Sequence, residues 1–189
     1  KRLAAQLQVN GIRPLALSMD DYFVDRESCP RDGRGEYDFE SVEALDLDLF
    51  NRHLQDLLEG REVAVPRFDF ESGRRQPQRR AVWLEDDQVL LVEGIHALNP
   101  RISAAVAERH KFRIYISALT QLTVNDHSRI STTDTRMLRR MVRDSRYRSY
   151  SAAQTLKRFP SVIRGERRNT FPFQENADVM FNSALVYEL

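Results

Sequence analysis

An α/β fold with a doubly wound parallel sheet is predicted by three features of this 189-residue sequence. Short apolar runs of strand length recur along it, and two of them close on acidic residues. Between the runs lie segments whose apolar residues repeat at helical spacing. With 41% apolar and 30% charged residues, the length fits one domain, residues 1–189, with a core of its own. Strands that alternate with helices join through right-handed crossovers, which makes the sheet parallel.

Each element follows from its residues. Residues 1–10 form a helix with Leu3, Ala4 and Leu7 on one face, and Gly11 stands at the C-cap position. Pro14-Leu-Ala-Leu-Ser18 is a strand that stops at Met19-Asp-Asp-Tyr-Phe23. A polar loop rich in turn residues follows, Cys29-Pro-Arg-Asp-Gly-Arg-Gly35. Asp46 is placed to N-cap a helix whose stripe is Leu47, Phe50, Leu54, Leu57 and Leu58, and Gly60 ends it. Residues 63–66 and 82–84 read as short strands around a basic excursion, 74–80, expected as a loop or hairpin tip. The run Val89-Leu-Leu-Val92 is too short for a helix and fits a strand buried on both faces of a parallel sheet. Helix is expected over 100–108 and most of 120–148, with two short helices at 151–158 and 160–168. The remaining strands are expected at 112–116 and 178–182.

Composition narrows the setting. One cysteine, Cys29, leaves no internal disulfide, and no apolar run approaches the roughly 20 residues that span a bilayer, so a reduced, cytoplasmic protein is expected. A net charge of +1 excludes a generally basic nucleic-acid coat. The basic residues are 26 Arg and only 3 Lys. That bias fits either fork-like binding of phosphates or the codon usage of a GC-rich genome. Its distribution is uneven: residues 129–168 carry a local charge of +9 and the remainder −8. A basic element closing over an anionic ligand would show this asymmetry, and so would a solvated helical face paired with acids elsewhere.

Ligands of open α/β sheets bind beyond the carboxyl ends of the strands. Asp20 and Asp21 follow one such end and Glu93 closes another, with Gly94 permitting close approach by a neighbour. Acids there can order Mg²⁺ and its water, or accept the proton of an attacking hydroxyl; they can also simply cap a following helix. Arg136, Arg139, Arg140 and Arg143 recur at spacings of three and four, opposite Leu138, Met141 and Val142. Four like charges on one face suit a triphosphate between them, or plain solvation. Phe68 and Phe70 bracket Asp69 where aromatics can stack on a base or pack. His53, His96, His110 and His127 lack metal-ligand spacing, and His96 reads as a packed histidine.

Taken together these motifs resemble the uridine kinase and phosphoribulokinase family of P-loop kinases. The likeness is carried, in family order, by Ser18-Met-Asp-Asp-Tyr-Phe23, Tyr37-Asp-Phe-Glu40, Pro66-Arg-Phe-Asp-Phe70, Val92-Glu-Gly-Ile95, Asp134-Thr-Arg-Met-Leu-Arg-Arg140 with Arg143-Asp144, and Ala177-Asp178. The resemblance implies a P-loop NTPase-like sheet with an Arg-rich helical lid at about 129–168. It implies transfer of the γ-phosphoryl of ATP, with Mg²⁺, to a nucleoside 5′-hydroxyl. By motif, Asp20 corresponds to the general base and Glu93 to the acid that holds Mg²⁺ through water. Arg136 and Arg140 correspond to catalytic lid residues, and Arg139 and Arg143 to phosphate-binding ones. Tyr22, Glu40, Phe68 and Asp69 fall in the acceptor site. Glu40 replaces the family's Asp against the ribose hydroxyls, and Gly73 stands where those kinases have a base-reading histidine, so a phosphosugar or pantothenate-like acceptor is an alternative. A regulatory nucleotide- or RNA-binding domain is the other. The expected partner is a small molecule, with no membrane and no nucleic acid; homo-oligomerisation is left open. The family's Gly-rich loop and first strand precede the helix that opens this sequence, so the sequence is expected to be a fragment, inactive alone.

Overall fold

The structure, a computed structural model, describes residues 2–117, 123–125, 128–129, 131–148 and 150–183. It divides into two compact units, Lys1–Lys111 and Phe112–Leu189. His127 lies outside the described residues.

In the first unit, α1 (Arg2–Val9) ends at Gly11, whose φ of +78° is the left-handed conformation a helix stop favours. Strand β1 (Arg13–Ser18) then pairs in parallel with β4 (Gln88–Glu93), in register from Arg13↔Gln88 to Ser18↔Glu93. Helix α2 (Leu47–Leu58) begins where expected, the Asp46 carboxylate accepting the Leu49 N–H at 3.0 Å. Phe50, Leu54 and Leu57 turn inward onto Leu17, Met19, Tyr22, Val63 and Val65 to make the core. Leu58 departs from the expected stripe and is 49% exposed, because it sits one residue beyond the buried Leu57, about 100° around the helix.

Three further expectations are corrected in this unit. The basic excursion at 74–80 is largely a strand: β3 (Arg74–Val82) pairs antiparallel with β2 (Val63–Asp69) through residues 74–76 and 80–82, with 77–79 bulging between them. The ladder satisfies the backbone while most of the charged side chains stand in water, so charge does not prevent the strand. The register shifts between Val65 and Arg67, where Pro66 has no N–H to give the ladder. Strand β4 is parallel but not buried on both faces, since Val89 is 50% exposed. The expected helix at 100–108 is instead two 3₁₀ turns, Pro100–Ser103 and Glu108–His110. Asn99 caps the first by accepting the Arg101 N–H at 3.1 Å, and the turn needs to bury only Ile102.

In the second unit, β5 (Ile114–Ser117) and β8 (Val179–Asn182) run parallel. The Asp178 carboxylate accepts the Arg113 N–H at 2.6 Å and anchors the pair. The helix expected over most of 120–148 is shorter. Strands β6 (Thr123–Asn125) and β7 (Ser128–Arg129) pair antiparallel, and α3 (Thr132–Tyr147) starts only after Ser131, which caps the Asp134 N–H at 3.0 Å. The two short helices expected at 151–168 are one, α4 (Ala152–Asn169), with Pro160 inside it. A capping box between Ser151 and Gln154 starts it, and burial of Phe159, Val162 and Gly165 against α3 outweighs the one backbone bond that proline removes. Among the described residues no helix is long and apolar enough to cross a membrane.

The core carries a pH dependence. His53, buried on α2, meets the Tyr22 hydroxyl at 2.9 Å through Nδ1, and burial lowers its pKa from the ordinary 6.5. The unfolded chain therefore takes up this proton first, so stability falls as pH drops below about 6.5. Denaturant melts between pH 7 and 5 are expected to show that loss in the native chain and a smaller one in His53→Gln. Equal losses in both would remove His53 as the cause.

Candidate active site

The parallel register of β1 and β4 brings their carboxyl ends side by side, so Glu93 comes to the same edge as the Asp20–Asp21 pair that follows β1. Ser18 donates its hydroxyl to the Glu93 carboxylate. Directly after Ser18 the chain turns through a 3₁₀ segment, Met19–Tyr22, that carries Asp20 and Asp21, both half-buried. Gly94 has the close neighbour expected of it: a Cβ there would stand 2.7 Å from the Met19 Cβ. Partial burial pushes the Asp21 carboxyl up, opposed by a hydrogen bond from the Phe68 N–H and by the charges of Arg80 and Arg67, while Glu93 adds to the rise. The donors here are hydroxyl and carboxylate oxygens, the chemistry that suits Mg²⁺ held through water. Among the described residues no three His, Cys, Asp or Glu gather as a metal cage, so such an ion would draw its other ligands from water and phosphate.

Beside this end lies an aromatic corner. Phe23, Phe68 and Phe70 pack with ring centroids 5.1–5.8 Å apart. Phe68 is half-buried on β2, which packs against the Met19–Tyr22 turn. Asp69 is structural, since its carboxylate accepts the Glu71 and Ser72 N–H groups at 3.1 and 3.3 Å and closes the turn to β3. Arg75 locks the corner, donating to the carbonyls of Phe23 (2.8 Å) and Tyr22 (2.9 Å) and to the Asp46 carboxylate (3.0 Å). Glu40 is half-buried, in a turn before the Val42–Ala44 segment.

Tyr22 is a correction. Expected to line the acceptor site, it is fully buried, edge-on to Phe50 at 4.8 Å and bonded to His53, and no face of it is left for a ligand. In the 3₁₀ turn residues three apart share a side, so Tyr22 points inward with Met19, and the neighbouring aromatic Phe23 reaches the corner instead. Sequence alone assigns no role at this edge to Phe23, Arg26, Arg75 or Arg80. Their signal is only three-dimensional: Arg75 and Arg80 are placed by pairing across β2 and β3, Phe23 by its bridge to Leu45, and Arg26 by its N–H bond to the Gly73 carbonyl.

In the second unit, Arg136, Arg139, Arg140 and Arg143 line a cavity of about 270 Å³ together with Phe159, Val162 and Glu166 of α4. The arginine face thus turns toward α4, and Leu138 and Val142, expected as the packed side, are each more than half exposed. Acids are built into this face: Arg136 pairs with Glu166, and the buried Asp144 draws Arg140 (3.5 Å), Arg143 (3.9 Å) and Arg148 (3.6 Å). Asp144 also accepts the Thr155 hydroxyl at 3.3 Å, tying the arginine row to α4.

A family model described as phosphoribulokinase / uridine kinase matches residues 5–186. A uridine kinase from Staphylococcus aureus (strain JH9) is 28% identical over 148 residues, covering 78% of this chain. The chain spans 63% of the length of that relative. Among solved structures, a possible uridine kinase from Bacillus stearothermophilus superposes with a TM-score of 0.57 at 17% identity, over 96% of this chain and 78% of its own. The YGR205w protein does so with a TM-score of 0.56 at 13% identity, over 96% and 77%. At these identities the likeness to the solved structures is one of fold, and it agrees with the α/β class read from sequence.

Proposed function

This chain belongs to the phosphoribulokinase / uridine kinase family, and from that premise we propose that it is the kinase domain of an ATP-dependent enzyme that phosphorylates the hydroxyl of a nucleoside or similar small acceptor. The observation that carries the reading is the parallel β1–β4 register, which sets Asp20, Asp21 and Glu93 around one strand end. An acceptor hydroxyl there gives its proton to Asp20 as the phosphoryl group arrives. Phe68 offers the acceptor an aromatic face, and Glu40 serves the sugar hydroxyls. Glu93, oriented by the Ser18 hydroxyl, holds the water shell of Mg²⁺, which supplies charge neutralisation on the phosphates when bound. Arg136, Arg139, Arg140 and Arg143 stabilise the phosphate charge, with Asp144 and Glu166 fixing their directions. Tyr22 and Asp69 act beneath the site, as core and turn. This chemistry would be that of a soluble cytoplasmic enzyme.

The test is ADP release by the full-length protein across a panel of nucleosides and small polyols. Turnover with one of them, dependent on Mg²⁺, is expected. If none supports ADP release, the kinase reading fails. A second acceptor class is kept for a specific reason: Gly73 removes a side chain from the acceptor corner.

A further inference from the structure

We propose that Arg26 determines acceptor specificity, by giving the acceptor corner a positive charge that selects a hydroxyl compound carrying an anionic group, a carboxylate or a phosphate. The inference rests on the reading of this edge as an acceptor site and adds the residue and the substrate class.

Three arginines crowd the corner, and two are neutralised. Arg74 pairs with Glu27 at 2.7 Å and Arg75 with Asp46 at 3.0 Å. Arg26 is half-buried and has no ion-pair partner among the described residues. The acids on either side of it are committed elsewhere, Asp25 accepting the Arg75 N–H at 2.8 Å and Glu27 holding Arg74. What the Arg26 guanidinium has is one nitrogen, Nη2, set 3.5 Å from the carbonyls of Phe70 and Glu71, the outer limit of a hydrogen bond. A partly desolvated guanidinium with donors to spare is an anion site.

Gly73 is what admits it. This residue is buried with φ +71°, and a Cβ there would stand 2.6 Å from Nε and 2.7 Å from Cζ and Nη2 of Arg26. The backbone holds the two in place, the Arg26 N–H donating to the Gly73 carbonyl at 2.8 Å. The guanidinium therefore occupies the space a side chain at 73 would take. It lies against the carbonyl of Phe70, in the aromatic corner that Phe23 and Phe68 complete.

The test compares matched acceptors, ribose 5-phosphate against ribose and D-glycerate against glycerol, in the full-length protein and in Arg26→Met, which keeps most of the apolar stem. By calorimetry, at least one anionic member is expected to bind about tenfold or more tighter than its neutral counterpart. Arg26→Met is expected to abolish that preference while leaving neutral binding within about twofold. The pair that responds separates phosphate from carboxylate. An anion held by the α3 arginines would bind both proteins alike, so an unchanged preference in Arg26→Met overturns the inference, as does the absence of any preference in the native protein. Parallel ADP-release assays keep the two readings apart. Arg26-dependent anion binding without turnover by any acceptor refutes the kinase reading alone, and turnover in which Arg26→Met leaves the ratio of anionic to neutral acceptor unchanged refutes this one alone.

Discussion

Replacing Asp20 with Asn in the full-length protein is expected to lower kcat by about 10²- to 10⁴-fold, the usual contribution of a positioned general base. KM for the acceptor should change little, because the amide keeps the size of the carboxylate and loses only its capacity to take a proton. Asp20 is half-buried in the Met19–Tyr22 turn rather than in the core, so the melting temperature should stay close to that of the native protein. The adjacent carboxylate makes the test discriminating. Asp21 is already bonded to the Phe68 N–H, and its proton affinity is raised by burial and by Glu93. Asp21→Asn is therefore expected to disturb the turn and KM more than the chemical step. If Asp21→Asn loses the rate and Asp20→Asn keeps it, the base is Asp21 and the assignment of Asp20 is wrong.

Tyr22→Ala is expected to destabilise the first unit by about 3–5 kcal/mol, the range for removing a large aromatic side chain from a packed core. Three interactions end together: the edge-on contact with Phe50, the hydrogen bond to His53, and the packing of a ring that is 0% exposed. Losing the hydroxyl alone, in Tyr22→Phe, leaves His53 Nδ1 without its partner and should cost about 1–3 kcal/mol. Urea melts of the three proteins check this order. Tyr22→Phe that melts with the native protein but shows a raised acceptor KM would return Tyr22 to the acceptor site and overturn its placement in the core.

The two predictions show how unevenly the molecule is written in its sequence. The strand ends were legible because apolar runs stop abruptly at acids, and the register then joined Ser18 to Glu93. The helix at Leu47–Leu58 was legible from its cap and its stripe. Strand β3 was not, since seven residues of the run 74–80 are charged, polar or proline and only pairing with β2 makes them a strand. Pro160 misled in the other direction: a proline marks a break, but packing along α4 held the helix through it. The arginine row was legible as a row and not in its orientation. Periodicity identifies which residues share a face, whereas the face that packs is chosen by the partner, here Phe159, Val162 and Glu166 of α4.

By itself, then, the sequence determined the α/β class, the elements α1, β1, α2 and β4, and the acids at the ends of β1 and β4. These depend on period, propensity and caps, which act over a few residues. Tertiary structure decided that Tyr22 lies in the core while Phe23 meets Phe68, and that Asp144 gathers arginines. It also decided that Arg26 stands unneutralised in the space above Gly73. Each of these depends on side chains brought together from distant parts of the chain, and on which charges are left without a counterion once the backbone has folded, a balance that local spacing does not contain.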